Sequence, residues 1–137
     1  MENFVLDFGI LRFAQLGGAL FLTVLFLQSG LDKIFQWTGN LSWLKGHFSK
    51  TPFKTSVPIL LFIVTLFEVA AGLFSGIGAI SILVDGSLGF AALGGVLAMF
   101  SLGLLFTGQR MAQDYEGAAT LASYFALVLL YLFLLHS

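Results

Sequence analysis

The chain has no cysteine and very little charge, with six Lys or Arg and seven Asp or Glu among 137 residues. Without cysteine there is no disulfide, no thiolate nucleophile, no iron–sulfur ligation and no dithiol relay. Imidazole is nearly as scarce: His47 and His136 are the only histidines. They stand far apart and neither is in the interior of a long apolar run, which argues against a bis-histidine haem, and no metal site is expected. A net charge of −1 lacks the basic field that nucleic-acid binding requires, so no nucleic-acid partner is expected. No motif for hydrolysis or phosphate binding appears, and Gly94-Gly95 lies within an apolar stretch where close packing explains it.

What the chain does have is apolar surface. Hydrophobic residues make up 58% and charged residues 9%, with a mean hydropathy of +1.00. A soluble domain carries roughly 25% charge because its surface must bind water. Here the medium around most side chains is expected to be a lipid bilayer, and sixteen Phe against two Pro suit lipid-facing helices. The length allows a single domain over 1–137. At the N-terminus, acidic Glu2 and Asp7 stand where a signal peptide carries basic residues, and no small-x-small site follows. The expectation is that this segment is not a cleavable signal.

Marking the charges divides the chain. Residues 13–31, 86–109 and 117–137 carry none, and 55–84 is interrupted only by Glu68. Each run is near or above the roughly 20 residues that cross about 30 Å of hydrocarbon at 1.5 Å per residue. The runs are continuous, not alternating, which excludes outer-membrane strands, and they leave almost no polar face for a soluble bundle. The expected fold is an all-α, integral membrane four-helix bundle with helices at about 11–33, 58–83, 87–110 and 117–136. Pro58 suits a first helical turn, and Val84-Asp85-Gly86-Ser87 reads as a tight turn. The first connection mixes Trp37, Trp43, Phe48 and Phe53 with Lys45, Lys50 and Lys54, while Leu41, Leu44 and Phe48 recur at helical spacing. That pattern predicts a short interfacial helix; a solvated loop is the plainer alternative.

Four spans place both termini and loop two on one side, with loops one and three on the other. Arg12 stands alone on the first side, against Lys33, Lys45, Lys50, Lys54 and Arg110 on the second. The positive-inside rule then puts loops one and three in the cytoplasm and both termini outside.

Glu68 is the most informative position. Ten residues past Pro58, about 15 Å along the helix, an ionised carboxylate costs several kcal/mol unless paired or protonated. Its helical neighbours Gly72, Ser75, Gly76 and Ala79 form a small-residue stripe where another helix can approach, so Glu68 is expected to face the bundle interior. Either a neighbouring helix satisfies it or it is a ligand or proton site. A second group lies toward loops one and three. Gln28 and Asp32 share a face at the end of helix one, and Arg110 and Asp114 have the i,i+4 spacing of an ion pair, flanked by Gln109 and Gln113. These groups either converge with Lys33 on one mouth of the bundle above Glu68 or are ordinary helix-end charges at the water boundary. Arg12 reads as an interfacial anchor, and Tyr124 and Tyr131 share a face with Thr120, offering hydroxyls to the core or simply packing.

Three segments, in order, resemble the DoxX family of small bacterial four-helix membrane proteins: Gly30-Leu31-Asp32-Lys33, Glu68-Val69-Ala70-Ala71-Gly72-Leu73, and Gln109-Arg110-Met111-Ala112-Gln113-Asp114-Tyr115-Glu116-Gly117-Ala118-Ala119. The resemblance implies a multi-pass protein of the bacterial cytoplasmic membrane, an accessory or anchor subunit linked to a redox process. A quinone-like ligand is the cofactor it implies, and a redox protein or a second copy of the chain the partner. Lys33, Glu68, Arg110 and Asp114 are the positions to watch. Because the chain has no cysteine, any redox role is indirect, through a bound quinone or a partner that carries the cofactor. The candidate ligand-binding set is Gln28, Asp32, Lys33, Glu68, Gln109, Arg110 and Asp114. A structural or assembly factor, or a small proton or solute transporter working through Glu68, are the alternative functions.

Overall fold

The computed structural model describes residues 9–51 and 55–136. Among them are five helices: α1 (Ile10–Phe35), α2 (Trp37–His47), α3 (Val57–Val84), α4 (Gly89–Met111) and α5 (Tyr115–His136). All but α2 are long and apolar enough to cross a membrane. At 1.5 Å per residue, even the 22 residues of α5 span about 33 Å. Lys54 and Phe53, which entered the reading of loop one, and Glu2 and Asp7 lie outside the described residues.

α1 packs along α3, α3 along α4 and α4 along α5, while α5 meets α1 more lightly and closes the bundle. Glycine makes these approaches possible. A Cβ on Gly78 would lie 2.5 Å from the Ala91 backbone, so α3 and α4 cross nearly backbone to backbone there. Gly94 gives the same freedom against Ser75, and Gly72 against Leu27 on α1. In lipid the hydrophobic effect does not drive helices together, so this close packing supplies much of the cohesion. The small-residue stripe read from the sequence faces inward: Gly72, Ser75 and Ala79 are buried.

The turns follow from local chemistry. α3 ends at Asp85, and Gly86 then adopts a left-handed φ of +76° while its N–H bonds back to Ser81 O at 3.0 Å, a glycine-terminated helix end. Asp85 Oδ1 accepts the Ser87 N–H at 2.9 Å. This bond, reinforced by the Ser87 hydroxyl and the Arg12 charge, holds the exposed Asp85 carboxyl below the ordinary carboxylate range. Arg12 does more than anchor the interface. Its Nε donates to Ile82 O at 2.9 Å, satisfying a carbonyl that the end of α3 leaves open.

At the other face, α4 ends in a similar way, with Asp114 N–H on Gln109 O at 2.8 Å and Gln113 in the left-handed region at φ +61°. Asp114 then caps α5, its Oδ1 accepting the Gly117 N–H at 3.0 Å. Arg110 does not pair with Asp114; it lies over the Tyr115 ring, 4.6 Å from the centroid. Loop one does hold a helix, and α2 buries none of its residues, as an element lying on the surface of a bundle should. Helix α1 gives way to it at Gln36, where the backbone leaves helical geometry at φ −117°, ψ 38°.

The crossing glycines supply a test of this packing. Gly78→Val should cost about 1–3 kcal/mol of stability or more, because the clash is with backbone. Gly17→Ala, where no atom lies within 4 Å of the added carbon, should change little. Thermal unfolding of the purified protein in mild detergent compares them; equal effects would mean that the α3–α4 crossing is not the close contact described.

Candidate functional site

The site begins with the way α1 meets α3. Gly30 has no side chain, so Val69 comes close: a Cβ on Gly30 would stand 3.2 Å from the Val69 backbone nitrogen. The residue before Val69 is Glu68, which is 1% exposed. Lys33, in the last turn of α1, points its side chain back along the helix, as helical geometry favours. Its Nζ reaches Ser29 Oγ at 2.8 Å and Glu68 Oε1 at 2.9 Å. Glu68 Oε1 thus has a charge partner at short range but makes no aligned hydrogen bond. A buried carboxylate at this depth persists only with such a counter-charge, and Lys33, with 18% of its side chain exposed, remains in reach of the surroundings.

Those surroundings are a cavity of about 420 Å³ between α2, α3 and α4, with Lys33 in its wall. Leu60, Leu61 and Val64 from α3 and Leu104 and Leu105 from α4 make it apolar, while Trp43, Leu44 and Phe48 roof it from the α2 side. Among the described residues, Asn40, Thr107 and Gln109 join Lys33 in bringing polar side chains to it. Gln109 is held from outside the cavity: its Oε1 lies 2.8 Å from His47 Nε2. His47 in turn stacks on Trp43 at 4.5 Å between centroids, meets Phe48 edge-on and lies 3.8 Å from Asp114 Oδ2. One imidazole therefore joins the roof of the cavity to its Gln109 wall and to the α4–α5 turn. Since Gln109 Oε1 faces the ring, the tautomer that suits the pair carries the proton on Nε2, and the Gln109 amide N–H groups remain as donors.

Of the residues singled out in the sequence, the structure brings Lys33 and Glu68 into contact and sets Gln109 and Asp114 about His47. It does not bring in the others. Gln28, Asp32 and Arg110 are exposed and none of them lines the cavity. Gln113 is exposed as well and borders a separate polar cleft between residues 46–51 and 111–113. His47 is the participant that sequence reading missed. The signal was its place at the end of an aromatic-rich helix, Trp43 four residues before it and Phe48 next to it, but nothing in the sequence links it to Gln109. No group of three His, Asp or Glu among the described residues is placed to hold a metal ion.

No family model, curated protein or solved structure matches this chain.

The ion pair yields a sharp test. Lys33→Met or Glu68→Met alone leaves one charge without its partner and should cost about 3–5 kcal/mol. The double substitution, which puts two apolar chains of similar volume in place of the pair, should recover most of that loss. Unfolding midpoints for the four proteins in detergent decide the matter; additive losses would mean that the two side chains do not act as a pair.

Proposed function

We propose that this chain is a DoxX-like multi-pass subunit of the bacterial cytoplasmic membrane, an accessory or anchor component of a redox process that binds a quinone-like ligand in the cavity beneath α2. The observation that carries the proposal is Lys33 in the wall of a mainly apolar cavity, its charge already balanced by Glu68. A net-neutral polar head favours a neutral polar ligand over an anion. Lys33 gives one N–H to Ser29 and keeps donor capacity, and the Gln109 amide supplies further N–H groups. Donors of this kind suit a ligand whose head offers carbonyl oxygens. Around them the leucines and the Trp43 and Phe48 rings suit a flat ring and a hydrocarbon tail, and the volume lies within the range of about 300–1,000 Å³ usual for small-molecule sites. The sequence resemblance supports the redox association. With no cysteine in the chain, electron transfer would pass through the ligand or through a partner protein. A second copy of the chain is the other partner that the reading allows.

Mass spectrometry of small molecules extracted from gently purified protein tests this. Wild type should retain a quinone, and Leu105→Trp, which fills the cavity, should retain at least tenfold less. A bundle with no lipid-like ligand in either protein overturns the proposal and leaves the assembly role, in which Lys33–Glu68 only fixes helix register.

The proposed orientation has loops one and three in the cytoplasm and both termini outside. Lys45, Lys50, Lys54 and Arg110 lie on the loop-one side, against Arg12 on the other, even when Lys33 is set aside as paired within the bundle. The natural absence of cysteine makes the check direct. In right-side-out spheroplasts a membrane-impermeant maleimide should label Ser87→Cys and spare Ser49→Cys. Labelling in the opposite sense would reverse the topology.

A further inference from the structure

Away from the cavity, about 10 Å along α3 from Glu68 at 1.5 Å per residue, Ser75 and, on α5, Tyr131 bring two buried hydroxyl groups against consecutive glycines of α4. Ser75 is 0% exposed and Tyr131 2%, and neither Ser75 Oγ nor Tyr131 OH hydrogen-bonds to any protein group. For Ser75 this sets it apart from the other buried helical hydroxyls. Thr65 Oγ1 donates to Leu61 O at 2.6 Å and Ser101 Oγ to Leu97 O at 2.9 Å, each to the carbonyl one turn back. Ser75 instead turns its Oγ toward α4, into space that exists because residue 94 is glycine.

Tyr131 belongs to the opposite corner, α5. One edge of its ring lies against Gly18 of α1, and the other against Gly95 of α4, where an added Cβ would stand 3.2 Å from Cε2. The two flanking helices thus hold the ring by its two edges. Gly94 and Gly95 are consecutive, so Ser75 and the Tyr131 ring lie against neighbouring positions of α4. Their helices, α3 and α5, lie on a diagonal and do not otherwise pack against each other.

A hydroxyl in an apolar interior is costly without a partner, and two against neighbouring glycines call for a shared one. Water is the ligand whose size and chemistry fit, since it can accept from one hydroxyl and donate to the other. We propose that Ser75 Oγ and Tyr131 OH form a binding site for water on the bundle axis, which joins α3 to α5 across the diagonal. The site does not depend on what occupies the cavity beneath α2.

Conservative variants separate this from a pair of idle hydroxyls. Unfolding midpoints in detergent are compared for wild type, Ser75→Ala, Tyr131→Phe and the double variant. A water-bridged pair predicts that each single substitution lowers the midpoint, by stranding the water and the remaining hydroxyl, and that the double variant is no less stable than the worse single one. Hydroxyls without a partner predict the reverse: Tyr131→Phe raises the midpoint or leaves it unchanged. Either that result or losses that simply add overturns the proposal. A high-resolution map should show a density peak within hydrogen-bond reach of both oxygens, and two hydroxyls in direct contact with no peak would also overturn it.

Discussion

Inside a bilayer a polar group has no solvent to turn to, and this constraint organises the whole bundle. Helical backbone satisfies itself, and Thr23, Thr65, Ser101 and Thr107 follow suit by bonding to the carbonyl one turn back. Groups that cannot be satisfied within their own helix reach for another. Glu68 takes Lys33 from α1, the open end of α3 takes Arg12, and Gln15 Nε2 donates to Leu134 O on α5 at 3.0 Å. Each of these contacts fixes the height of one helix against a neighbour, which packing of Leu and Phe alone does loosely. The glycines bring the backbones close enough for such short reaches.

In the cavity beneath α2, donors are held in position by bonds made elsewhere. Lys33 is oriented by Ser29 and Glu68, and Gln109 by His47. A site whose polar atoms are fixed by partners outside it is preorganised, so a ligand need not order them on binding. The roof is of a different character. Helix α2 buries no residue of its own and rests on the bundle through His47, Trp43 and Phe48, so it is the least committed wall of the cavity.

Much of this architecture was legible in the sequence. The intervals between charges located the four spans to within a few residues, and the mixture of tryptophan, leucine and lysine located α2. The inward direction of Glu68 followed from the glycine and serine spaced around it. What the sequence could not show was pairing across the bundle. Lys33 stood among the charges at the end of α1 with nothing to distinguish it from Asp32, yet one points back toward Glu68 and the other into the surroundings; a shift of one residue is about 100° around a helix. Arg110 and Asp114 had the spacing of an ion pair, but the chain turns at Gln113 before the second of them, so helical spacing no longer applies. His47 and Gln109 are brought together only by the fold, and an isolated histidine in a surface helix gave no hint of it.

The span in sequence of the long-range contacts has a consequence for how the protein is made. Arg12 is synthesised 70 residues before the carbonyl it caps, and Gln15 comes 119 residues before its acceptor. Lys33 likewise precedes Glu68. In each case the donor belongs to α1 and the acceptor to a later helix. Helix α1 therefore enters the membrane with these polar groups still waiting, and α3 relieves two of them and α5 the third as each leaves the ribosome. Biogenesis becomes an ordered series of captures on α1, and any factor that shields a nascent helix from lipid would act on α1 until α5 arrives.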